Sequence, residues 1–190
     1  MSPANFASTV HDVFGFLVEH SFVDSWKGGY CVRFDSPKVF VSVVYDATRS
    51  YELGIEIGLQ VGISHSVERP FTISEICRAT GHPDLGEATA LVQARPSEVR
   101  ERLLWLAGLL REHGAALLEG DRVWFGALDR QRDADCNAYA AQTKLAQATR
   151  EALKAWQQGK YGEVVRKLEP VEEYLPASEQ KRLEIARKRR

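Results

Sequence analysis

The chain has 190 residues, enough for one ordinary domain with an extension or for two small ones, and its 44% hydrophobic and 27% charged content is that of a globular protein. A net charge of −1 (25 basic against 26 acidic residues) excludes a strong global attraction to nucleic acid or anionic lipid. No apolar run nears the roughly 18 residues that span a bilayer, the first residues carry no signal-peptide pattern, and three widely spaced cysteines form neither a disulfide framework nor a zinc knuckle. A reduced, cytoplasmic protein is expected.

Phe6, Val10, Val13, Phe14, Leu17 and Val18 recur at helical spacing, which predicts an amphipathic first helix with Pro3 in its opening turn. Residues 21 to 29 read as turn. Three strands follow. Tyr30, Val32 and Phe34 alternate with Cys31 and Arg33; Lys38 to Asp46 is apolar on both faces, as a central strand is. In the third, Tyr51, Leu53, Ile55, Ile57 and Leu59 face one way and Glu52, Gly54, Glu56, Gly58 and Gln60 the other. One face of this antiparallel meander should pack on the first helix.

Residues 61 to 71 are ambiguous, with Val61-Gly62-Ile63 suited to extending the sheet. Thr72-Ile73-Ser74-Glu75 is a capping box opening a short helix that Gly81 stops. Residues 82 to 94 read as a loop or weak helix. A strong helix starts at Arg95-Pro96-Ser97-Glu98, with Val99, Leu103, Leu106 and Leu110 as its stripe, widened by Leu104, Trp105 and Leu109. Gly120-Asp121 between apolar runs predicts a hairpin over 116–126; the competing reading makes Asp121 the cap of a helix from Arg122.

From about residue 129 the chain is helical and alanine-rich, with Leu145, Ala148, Ala152 and Trp156 as a stripe. Gly159 to Gly162 is a turn, Pro170 should kink or divide the helix over 163–175, and Ser178 should cap a last helix ending in a basic run. The predicted fold class is α+β: a three-stranded or slightly larger antiparallel meander packed on helices over 1–128, then an all-helical extension over 129–190 ending in a helical hairpin.

The stretch from Ala152 to Val165, with small residues before Gly159-Lys160-Tyr161 and an apolar helix after it, resembles a single tetratricopeptide hairpin; Pro176 falls near the end of that unit. A solenoid generally needs about three repeats, and one is found. The hairpin is therefore expected to pack within the chain or to bind a partner. The layout as a whole is loosely similar to small bacterial toxin-immunity proteins.

No P-loop, GxGxxG or GxSxG occurs, and none of the five histidines sits at ligand spacing from another His or Cys. Glu52 and Glu56 share a strand face, with Asp46 ending the strand before; this suggests a metal-dependent nuclease, but 52 and 56 are about 13 Å apart by strand rise, too far for one ion. A winged-helix DNA-binding regulator is a further alternative, with the helices at 72–81 and from Pro96 followed by a wing over 118–124; its basic residues are offset by Glu98, Glu101 and Glu112. The leading expectation is a non-enzymatic protein–protein interaction module, without cofactor or metal, possessing a protein partner such as a toxin. Its candidate contact residues are Glu52, Glu56, Trp156 and Tyr161.

Overall fold

A computed structural model describes residues 1–60 and 69–190, apart from the side chains of residues 26 and 27. It is α+β, and it divides into two compact units, Met1–Gln131 and Arg132–Arg190. The proposed sheet extension at Val61-Gly62-Ile63 lies outside the described residues, as does His65.

Among the described residues the first unit is built on a five-stranded antiparallel sheet in sequential order: β1 (Val23–Gly28), β2 (Cys31–Asp35), β3 (Val39–Tyr45), β4 (Leu53–Leu59) and β5 (Phe71–Thr72). The alternation in β4 sets its register and faces: Leu53, Ile55 and Ile57 are buried, while Glu52 and Gly54 are exposed and Glu56 is half-buried. β3 is central and buried along nearly its whole length. β1 corrects the reading of 21–29 as turn. Its sequence, VDSWKG, has little apolar alternation, and Val23 is exposed; its order comes from pairing with β2, with a register irregularity between Asp24 and Trp26.

Helix α1 (Pro3–Phe14) is capped by the Ser2 hydroxyl, which accepts from the Asn5 amide at 3.3 Å, with Pro3 in the first turn. It buries Phe6, Val10, Val13 and Phe14 against the sheet. At Gly15 the chain tightens into a 3₁₀ turn (Gly15–His20), which rotates the stripe. Phe16 and Leu17 are buried, whereas Val18, assigned to the stripe, is 72% exposed.

Helices α2 (Ile73–Ala79) and α3 (Pro83–Thr89) form a close pair. The capping box at α2 is formed: the Thr72 amide donates to Glu75 Oε2 at 2.9 Å and the Glu75 amide to Thr72 Oγ1 at 3.3 Å. Gly86 permits the approach, since a Cβ there would meet Arg78 Cγ at 2.4 Å; the Ser74 hydroxyl donates to the Gly86 carbonyl at 2.7 Å. Helix α4 (Val99–His113) buries Val99, Leu103, Leu106, Ala107, Leu109 and Leu110. Leu104 does not widen the stripe; it is 54% exposed.

The expected hairpin at 116–126 is absent. Ala115–Leu118 is a helical turn, α5, and Arg122–Gln157 is the 36-residue helix α6. Gly120, at φ +73°, ends the first, its amide bonding the Leu117 carbonyl at 2.9 Å; Asp121 caps the second, accepting from the Val123 amide at 2.8 Å. A Gly-Asp pair serves a helix stop and start as well as a hairpin turn, and burial of Leu117, Leu118, Phe125 and Leu128 favours the helical solution. The segment proposed as a wing is therefore not a β-hairpin.

In the second unit, residues 133–144 of α6 are exposed all round and remain helical in an alanine-rich sequence. Gly159, at φ +70°, turns the chain into α7 (Tyr161–Leu168). Ala152 and Ala155 of α6 pack with Val164, Val165 and Leu168 of α7, Leu175, and Leu183 and Ala186 of α8 (Ala177–Arg189). Pro170 divides the predicted 163–175 helix: α7 stops at Leu168, and a 3₁₀ segment, Glu169–Tyr174, follows with Val171 at φ −124°. Ser178 does not cap the last helix, which starts one residue earlier after Pro176 with no side-chain cap. The basic terminal run is helical to Arg189; Arg187 bonds Glu172 at 2.8 Å and Glu169 at 3.0 Å.

Candidate functional site

Pairing across the sheet places Arg33, Ser42, Glu56 and Thr72 in one transverse row on the face turned away from α1, and Cys31, Val44 and Gly54 in the next. Next to these rows, at the edge of β4, lies a cleft of about 230 Å³. Its apolar wall is Leu53, Ile55, Ile73, Val92 and Leu106; Val44 and Leu91 stand at its rim; Asp46, Glu52 and Glu56 supply its acids. Two contacts fix the far wall. The Leu53 amide donates to the Val92 carbonyl at 2.8 Å, and Glu52 bridges Gln93.

Gly54 is the open point of this wall. A Cβ built on it meets no atom within 4 Å, whereas one on Gly58, two residues along, would meet the Phe40 ring at 2.7 Å. Phe40 is itself buried on this face beneath the Arg33 guanidinium, 3.9 Å from the ring centroid. Space is thus kept above Gly54 and filled above Gly58.

The three acids behave differently. Asp46 Oδ1 accepts from the Thr48 and Arg49 amides, both at 3.1 Å, and Oδ2 from the Ser50 hydroxyl at 3.0 Å. These bonds, the Thr48 amide's first, hold its carboxyl well below the usual carboxylate range. Asp46 therefore closes the 46–50 turn. Glu52 and Glu56 have no ion-pair partner among the described residues. The charge of Glu56 reaches Cys31 on β2, whose thiol is pushed up first by burial and then by this carboxylate. Among the described residues no group of three His, Cys, Asp or Glu is arranged to hold a metal ion.

Trp156 and Tyr161 belong to the second unit. Their rings meet edge to face at 5.3 Å, and both pack on its core. Arg189 stands over Tyr161 and donates to its hydroxyl at 3.0 Å; Arg182 stands over Trp156 at 5.9 Å while paired with Glu179. These two aromatics brace the turn between α6 and α7.

The strict alternation in β4 already placed Glu52, Gly54 and Glu56 on one face. The other wall, Thr89 to Val92, gave no such signal, because its order comes from the Val92 and Gln93 pairings and not from a periodic pattern. Comparison with family models, with curated proteins and with solved structures gives no match to this chain. No helix among the described residues is long and apolar enough to cross a membrane.

Proposed function

We propose that this chain is a non-enzymatic protein–protein recognition module, of the bacterial immunity or antitoxin kind and acting in the cytoplasm, which takes up a lysine or arginine side chain of its partner in the cleft at Gly54. The observation that carries this reading is the open space above Gly54, flanked on the same strand face by two carboxylates, Glu52 and Glu56, that have no ion-pair partner among the described residues. The apolar wall suits the methylene stem of such a side chain, and one of the two carboxylates, on either side of Gly54, suits its charged head. Size argues in the same direction. Ligand pockets usually run from about 300 Å³ upward, so about 230 Å³ favours one inserted side chain over a cofactor.

Three proteins test it: the tagged full chain, its Gly54→Trp variant and its Glu52→Gln/Glu56→Gln variant, each expressed in the native host and each shown to keep the parent's thermal midpoint. A protein recovered with the parent should fall by at least about tenfold with both variants. Equal recovery with all three ends the reading. The cleft also stands apart from the two alternatives: a winged helix lacks its wing at 118–124, and the acid set for a nuclease loses Asp46 to its own turn.

A further inference from the structure

The α2–α3 pair ends beside the C-terminus of α4, and two histidines meet there. The rings of His82, between α2 and α3, and His113, the last residue of α4, have centroids 4.6 Å apart and planes tilted by 47°. The His113 side chain is only 6% exposed, and its Nε2 is buried with no hydrogen-bond partner among the described residues. His82 is exposed, so the pair is open to protons from one side.

We propose that His82 and His113 form a proton-sensitive latch that holds the α2–α3 hairpin closed when both rings are neutral and loosens it when both are charged. The surroundings accept one positive charge. Glu112 stands 4.0 Å from His113 Nε2, and His113 occupies the last turn of α4, where the helix end favours a cation. They do not accept two. On α2, Cys77 holds the His82 amide through its carbonyl, and its buried thiol, pushed up first by that burial and then by Glu112, offers no negative charge. Arg78 on the same helix directs its guanidinium to Ser74, donating to Oγ at 3.2 Å. Asp84, in the first turn of α3, is the other acid close to His82 in sequence. A second proton therefore sets two like charges within ring contact, the inner one largely screened from water.

The movable part follows from the hydrogen bonds. His82 bonds back to α2, its amide donating to the Cys77 carbonyl at 2.9 Å, and its own carbonyl accepts from Gly86 at 3.0 Å in α3. Displacing His82 pulls on both helices at once. Residues 89–92, which continue from α3, line the cleft at Gly54, so the same displacement loosens one of its walls. The latch itself does not depend on what the cleft binds.

Hydrogen exchange of the full chain, followed by mass spectrometry and corrected for the intrinsic pH dependence of exchange, tests the proposal. Between about pH 7.5 and about pH 5.5, protection of peptides covering 80–92 should fall about tenfold while peptides from β2 and β3 change little. His82→Gln, at an exposed position, should abolish that local fall. His113→Gln should abolish it too, even where removal of a buried ring lowers protection at both pH values. A parent protein whose 80–92 protection is unchanged by acid, or a His82→Gln protein that keeps the full fall, overturns the latch.

Discussion

The hydroxyl of Tyr45, at the end of β3, donates to the carbonyl of Ala94 at 2.8 Å, and both residues are buried. This bond ties the centre of the sheet to the segment that leads from the cleft wall into α4. The Ala94 amide in turn donates to the Tyr51 carbonyl at 2.9 Å, so the 91–95 segment is sewn to the sheet from both sides. Tyr45→Phe keeps the ring, which stacks on Phe6 at 5.7 Å, and leaves the Ala94 carbonyl without its donor. Urea denaturation should show a loss of about 1–2 kcal/mol with an unchanged m-value.

The same hydroxyl gives the fold an alkaline limit. Burial, ahead of the charges of Tyr51, Tyr30, Asp46 and Glu98, pushes the Tyr45 phenol above its ordinary value. A proton held more tightly in the folded than in the unfolded chain adds stability that is complete below the unfolded value, about pH 10, and fades as pH rises through the folded one. The parent should therefore lose stability above about pH 10 more steeply than Tyr45→Phe does, as read from chemical-denaturation midpoints at successive pH values.

Asp121 accounts for the start of the longest helix. Its Oδ1 accepts from the Val123 and Trp124 amides at 2.8 and 3.4 Å, two of the donors that a helix N-terminus leaves free. Asp121→Ala should cost about 1 kcal/mol and Asp121→Asn much less, measured by thermal unfolding followed at 222 nm.

Those two residues, Gly120 and Asp121, also show where the sequence was legible and where it was not. Alternation in β4, the apolar run of β3 and the α4 stripe each encode a burial pattern within one segment, so each could be read directly. Glu52, Gly54 and Glu56 inherit that clarity, which is why half of the cleft was visible in advance. β1, α3 and the helix from Arg122 depend on something outside the segment: the β2 partner for Val23–Gly28, the close approach of Gly86 to Arg78 for α3, and the burial of Phe125 and Leu128 for α6. A Gly-Asp pair is compatible with either outcome until that packing is known. The void above Gly54 was invisible for the same reason, because it is set by what other residues leave empty.

Asp46 sets a limit on the acid side. Its carboxyl, held well below the usual range by the amides of residues 48 to 50, binds its proton less readily in the folded chain than in the unfolded one. Its contribution is complete above about pH 4, where the unfolded carboxyl is ionised, and is lost as pH falls through the depressed folded value. In a carboxyl-carbon NMR titration, the Asp46 signal should move at distinctly lower pH than that of an unstructured aspartate. Asp46→Asn should flatten the acid limb of the stability curve and leave the pH dependence above about pH 5 as it is in the parent.

Gly54 and Gly58 share a strand and a face, yet the structure separates them sharply. Neither has a positive φ, so an alanine at either site strains nothing in the backbone itself. At Gly54 the added methyl enters open space. At Gly58 it would lie 2.7 Å from Phe40 Cζ and 3.2 Å from the Pro70 Cα, and Phe40, held beneath Arg33, cannot swing clear without exposing a buried ring. Gly54→Ala should therefore leave stability within about 0.5 kcal/mol of the parent, while Gly58→Ala should cost about 1–3 kcal/mol. Phe40→Leu, destabilising alone, should recover part of the Gly58→Ala loss in the double variant, because the shorter side chain vacates the space the methyl needs. Additive losses in that double-mutant cycle would show that the two positions do not compete for the same space.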